Sequence, residues 1–118
     1  MAQPQSPSDE QILLRADADG VATLTLNRPG SGNSLSHALV DALSTTLRQI
    51  ADDADVRVVV LAANGKHFCT GHDLKESIAT KTGDEKRASN AACNAMMQAI
   101  VDLPQPVIAK VQGFAIGG

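Results

Sequence analysis

Val56-Arg57-Val58-Val59-Val60-Leu61-Ala62-Ala63-Asn64-Gly65-Lys66-His67-Phe68-Cys69-Thr70-Gly71-His72-Asp73-Leu74-Lys75-Glu76 is the stretch whose reading decides the fold. From Val58 to Ala62 it is continuously apolar instead of alternating, the pattern of a strand buried on both faces. That strand runs into a glycine-bearing turn. A second apolar run, Val107-Ile108-Ala109-Lys110-Val111, runs into another, Gln112-Gly113-Phe114-Ala115-Ile116-Gly117-Gly118. Small residues let backbone N–H groups approach a ligand without an intervening side chain. Two such groups converging on one point stabilise a developing oxyanion, at roughly 2.7–4 kcal/mol per donor. In open α/β sheets ligands sit beyond the carboxyl ends of the strands, where both turns fall. A helix opening at Gly117-Gly118 would add the positive end of its dipole there. Spacing alone leaves the plainer reading open, in which both are ordinary tight turns.

Working outward, Gln11 to Ala16 and Val21 to Leu26 flank Asp17-Ala18-Asp19-Gly20 and read as an antiparallel hairpin. In its second strand Ala22, Leu24 and Leu26 alternate with Thr23 and Thr25. Asn27-Arg28-Pro29-Gly30-Ser31-Gly32-Asn33 then interrupts regular structure. Ser36 is placed to cap a helix reaching about Ala51, with Leu39, Leu43, Leu47 and Ile50 on one stripe. A second helix is expected from near Asp84 to Leu103, ahead of Pro104-Gln105-Pro106, on a stripe of Ala88, Ala92, Met96, Ala99 and Leu103. Hairpin, helix, strand, helix, strand is the order of an α/β fold with a mostly parallel sheet and right-handed crossovers.

Composition narrows the function. The 118 residues are 43% hydrophobic but only 2% aromatic, with no Trp or Tyr, so aliphatic side chains must do nearly all the packing and an aromatic platform for stacking bases is not expected. A formal net charge of −3 argues against a phosphate-backbone binder, so no nucleic-acid partner is expected. The longest apolar runs are far short of a membrane span. Residues 1–10 are polar and Pro-containing, without the pattern of a secretory signal or a transit peptide, and read as a flexible tail. Cys69 and Cys93 lack metal-type spacing and read as reduced thiols of a cytoplasmic protein. Residues 11–118 form the domain.

The second turn, Gly113-x-x-x-Gly117-Gly118, is neither a dinucleotide fingerprint nor a phosphate loop, which needs a Lys after its last Gly. It instead closes a set of four ordered blocks. Gly20-Val21-Ala22-Thr23-Leu24-Thr25-Leu26-Asn27-Arg28-Pro29 with Asn33-Ser34-Leu35-Ser36 resembles the opening of the crotonase (enoyl-CoA hydratase/isomerase) superfamily. Val58-Val59, Leu61, Phe68 and Gly71-His72-Asp73-Leu74-Lys75 are similar to its first oxyanion-hole loop, and Pro106 through Gly118 to its second. The likeness runs from about residue 11 to the end.

The resemblance implies repeated ββα units, here only the N-terminal part of them, that bind acyl-CoA thioesters. His72 would supply one oxyanion N–H, through its backbone alone, and Gly118 the other. Gly71, Asp73, Leu74, Lys75 and Gly117 would line the substrate site, with Arg28 and Ser34 bordering the adenosine end. Coenzyme A is then part of the substrate, and no metal or organic cofactor is implied. A trimer-based homo-oligomer is the family's common assembly. The expected reaction is addition of water to a 2-enoyl-CoA through an enolate-like species, with enoyl-CoA isomerisation and non-catalytic acyl-CoA binding as the competing readings.

The family's catalytic Glu positions lie beyond residue 118. The nearby carboxylates, Asp73 and Glu76, read as solvated or structural charges, His37 and His67 as surface histidines, and Cys69 as a packing residue. A chain of residues 1 to 118 alone is therefore expected to be poorly soluble or oligomeric and without hydratase turnover.

Overall fold

Asp19 and Gly20 both adopt positive φ, 54° and 81°, and so make a two-residue turn of the kind that matches strand twist. The hairpin is therefore tighter than the four-residue turn expected: β1 (Leu13–Ala18) pairs with β2 (Val21–Leu26) through Asp17↔Ala22 and Ala18↔Val21. The computed structural model describes residues 11–79 and 82–117; the expected tail, residues 1–10, and Gly118 lie outside them.

A 3-10 turn, Pro29–Ser31, follows β2, and α1 (His37–Ala51) then crosses to β3 (Val58–Ala63). The helix starts where Ser36 Oγ accepts the Leu39 N–H at 3.2 Å. Its buried side chains are Leu39, Leu43, Leu47 and Ile50, as the 3.6-residue period requires, joined by Val40. Two helices, α2 (Leu74–Ala79) and α3 (Gly83–Asp102), then lead to β4 (Val107–Ala109). The sheet order is β1-β2-β3-β4, with β2, β3 and β4 parallel. β4 is shorter than Val107–Val111, although the Lys110 N–H still donates to Leu61.

Both long helices pack on one face of the sheet. Ala22, Leu24 and Leu26 of β2 and Val59 of β3 form a buried cluster with the α1 leucines and with Cys93 and Met96 of α3. Burying a Leu-sized side chain contributes roughly 1.5–3 kcal/mol, so this aliphatic layer replaces the missing aromatics.

Three expectations are corrected here. Only Val59 of β3 is fully buried, because the described helices cover one face of the strand and leave Val58, Val60 and Ala62 half-exposed on the other. The α3 stripe holds in its C-terminal half, where Met96, Ala99 and Leu103 pack on the core, but Ala88 and Ala92 are exposed, and Cys93 and Ile100 face the core instead because larger apolar side chains gain more from burial. The region after Asp73 is a helix, not an extended turn. Asp73 Oδ1 accepts the N–H groups of Lys75 and Glu76, at 3.0 and 3.2 Å, and so caps α2.

Candidate active site

The two glycine turns lie side by side. Cys69 and Ala115 form a parallel bridge, with the Cys69 N–H donating to the Phe114 carbonyl at 3.0 Å and the Ile116 N–H to the Cys69 carbonyl at 3.1 Å. Beyond it, Gly71 (φ +91°) and Gly117 (φ +71°) pack backbone on backbone; a Cβ on Gly117 would lie 3.2 Å from the Gly71 Cα. His67 clamps the same pair of segments. Its ring stacks on Phe114 at 4.4 Å between centroids, and its Nδ1 accepts the Phe114 N–H at 3.0 Å. It is a half-buried structural residue, not the surface histidine expected.

On its other side the first turn is tied to the segment after β2. The Leu35 N–H donates to the Gly71 carbonyl and the Asp73 N–H to the Leu35 carbonyl, which makes a parallel bridge between Leu35 and His72. In such a bridge the neighbours of His72 make the bonds, so its own N–H points away from Leu35. Among the described residues no group accepts that N–H. Its imidazole is exposed.

Arg28 and Ser34 do meet the first turn. Arg28 Nη1 donates to the Ser34 carbonyl at 2.6 Å and Oγ at 3.1 Å, and Nη2 reaches Asp73 Oδ2 at 3.2 Å. Burial pushes the Asp73 carboxyl up, but the Glu76 N–H, the Arg28 guanidinium and the Lys75 N–H outweigh it and hold the group below the usual carboxylate range. The guanidinium is thus committed to protein partners, and Lys75 is the exposed cation beside it. Asn33, fully buried with φ 54°, completes the scaffold. Its Nδ2 donates to the Asn64 and His67 carbonyls at 2.8 and 2.9 Å, and its Oδ1 accepts the Arg28 N–H at 2.7 Å. No pattern in the sequence singled out that role, since its partners are remote in the chain.

A cleft of about 350 Å³ joins Ser34, Thr70, His72, Asp73, Leu74 and Lys75. Leu74 is 73% exposed there, an apolar surface next to a cation. Arg28 borders this group through its contacts, and Gly117 through Gly71. Both cysteines are free and buried; burial, and then the nearby Cys69, push the Cys93 thiol up, away from the reactive thiolate.

The chain as a whole has relatives. The family model described as enoyl-CoA hydratase/isomerase matches residues 16–118. The chain belongs to the enoyl-CoA hydratase/isomerase family. A crystal structure of an enoyl-CoA hydratase from Mycobacterium smegmatis superposes with a TM-score of 0.86 at 50% identity, over 88% of this chain and 41% of that one. A Mycobacterium leprae protein named as a probable enoyl-CoA hydratase is 40% identical over 98% of this chain and 41% of its own length. The zebrafish (Danio rerio) enoyl-CoA hydratase domain-containing protein 3, named as mitochondrial, is 32% identical over 98% of this chain and 40% of its length. The crotonase fold read from the four sequence blocks is thus confirmed, and the family member described here spans about 40% of the length of these relatives.

Proposed function

We propose that the protein is an enoyl-CoA hydratase, in which the first glycine turn presents the His72 N–H to the thioester carbonyl of a 2-enoyl-CoA. The single observation that carries this reading is the outward-facing His72 N–H, held between the Leu35 bridge and the Gly71–Gly117 contact. Addition of water to the β-carbon drives negative charge onto the thioester oxygen. A fixed N–H donor stabilises that charge more than it stabilises the ground-state carbonyl, which is the requirement for catalysis. The second donor in this account is the Gly118 N–H.

The cleft beside Ser34 and Asp73 suits the coenzyme A portion, with Lys75 available to a phosphate and Leu74 to the face of the adenine. Arg28 contributes by holding Ser34 and Asp73 in place. Asp73 caps α2 and pairs with Arg28, and Glu76 accepts the His37 backbone N–H, so neither carboxylate is assigned the proton transfer. Coenzyme A enters as part of the substrate, and no separate cofactor is required. A homo-oligomeric assembly is carried over from the family resemblance alone. Among the described residues no helix is long and apolar enough to cross a membrane, and a cytoplasmic location is part of the proposal.

The test is direct: the intact protein is mixed with a 2-enoyl-CoA and the enoyl absorbance followed. Saturable loss of absorbance with 3-hydroxyacyl-CoA as product supports the reading; tight binding of the thioester with no turnover would replace hydration by acyl-CoA binding.

A further inference from the structure

Ser89, His37 and Glu76 come from three different helices and meet at one edge of the molecule. The Nε2 of His37 lies 3.0 Å from Ser89 Oγ, and its Nδ1 lies 3.4 Å from Glu76 Oε2. The same Glu76 oxygen accepts the His37 backbone N–H at 2.8 Å, which fixes the carboxylate against the start of α1. At 3.4 Å Glu76 Oε2 does not hydrogen-bond Nδ1, but its negative charge favours the tautomer with the proton there, which leaves Nε2 as acceptor for the Ser89 hydroxyl. Hydroxyl, imidazole and carboxylate then stand in the order that activates a serine as a nucleophile.

The surroundings suit an acyl group. Ser89 and His37 open on a groove of about 370 Å³ whose apolar wall includes Leu35, Val40, Ala88 and Ala92. The two exposed alanines leave room beside the hydroxyl, where larger side chains would fill it. Asp41 and Glu85 also border the groove. Their carboxylates disfavour an anionic acyl group and favour departure of a carboxylate product.

We propose that Ser89, with His37 as general base and Glu76 orienting it, is the nucleophile of a second site that hydrolyses short, uncharged acyl esters and thioesters. The hydroxyl proton passes to His37 Nε2 as Ser89 Oγ bonds to the acyl carbon. The bond from that carbon to the alcohol or thiol breaks, and the leaving group takes the proton from His37. Water then gives a proton to His37 and adds to the acyl-serine. Cleavage of the Oγ–acyl bond releases the carboxylic acid and returns the proton to Ser89. His72, whose backbone N–H the hydratase reading uses, also borders this groove, so the two sites adjoin, but none of the side chains of Ser89, His37 and Glu76 takes part in that chemistry.

The intact protein is treated with a fluorophosphonate serine probe and, separately, assayed with p-nitrophenyl acetate. The expected result is one adduct, mapped by mass spectrometry to Ser89. Ser89→Ala and His37→Gln should each lower ester hydrolysis by about a hundredfold or more, with Glu76→Gln losing less. Ser89→Ala places a better helix former on α3, so its thermal melt should not fall. No adduct, an adduct on another residue such as Cys93, or wild-type hydrolysis by Ser89→Ala would overturn the proposal.

Discussion

A Cβ on Gly71 would lie 2.9 Å from the Ile116 carbonyl oxygen and 3.1 Å from the Gly117 Cα, so the two turns fit together only because both residues lack side chains. Gly71 also sits at φ +91°, where an L side chain is strained. Gly71→Ala therefore forces the turns apart and moves the His72 N–H. Loss of one oxyanion donor costs about 10²–10³ in kcat. Steady-state kinetics with a 2-enoyl-CoA should show that fall, with a smaller change in KM, while circular dichroism stays native.

Asp73 links acid sensitivity to the site. Its carboxyl is held below the ordinary range in the folded protein, by N–H donors and by Arg28 acting against burial. Such a group adds stability above its unfolded pKa, roughly 3.9, and that contribution is lost as pH falls through the lower folded value. Asp73→Asn should reduce stability at neutral pH and flatten its decline in acid. Denaturant midpoints measured between about pH 2 and pH 6 check this, the two proteins converging at the acid end.

Asn33 is buried with both ends of its amide bonded. Removing it takes a partner from the part-buried Arg28 N–H and from two carbonyls, at up to about 1–3 kcal/mol for a group left unpaired. Asn33→Ala should lower the thermal midpoint by several degrees, and Asn33→Asp should fail to rescue it because a carboxylate cannot donate to the Asn64 and His67 carbonyls.

His67→Ala removes both the ring stack on Phe114 and the acceptor for its N–H. The second turn then loses its clamp while the aliphatic layer under the sheet stays intact. Hydration should fall about tenfold or more, as expected for small displacements of a catalytic group. The thermal midpoint should move little. A large loss of stability with unchanged turnover would place the clamp outside the catalytic arrangement.

The α1 stripe and its Ser36 cap were legible because each depends on spacing within one helix. So were the two glycine turns, whose composition admits little else. The helix after Asp73 carried its own signal, an Asp at the cap with Glu76 three residues on, but it is only six residues long and offers no apolar period. On α3 the reading of Met96, Ala99 and Leu103 held, and only Ala88 and Ala92 were misplaced, because they share that stripe while the side chains worth burying, Cys93 and Ile100, stand beside it. The contacts of His37 with Glu76 and Ser89 span 39 and 52 residues of sequence, and no local pattern announces a contact of that kind. Asn33 was hidden for the same reason, 31 and 34 residues from the carbonyls it holds.

The most direct test of the central claim is the infrared carbonyl stretch of an isotope-labelled 2-enoyl-CoA bound to the intact protein. The account predicts a shift to lower frequency on binding, as a backbone donor polarises the thioester, and its loss in Gly71→Ala even at saturating ligand. A bound thioester whose carbonyl absorbs as it does in water, or a shift that survives Gly71→Ala unchanged, would contradict it.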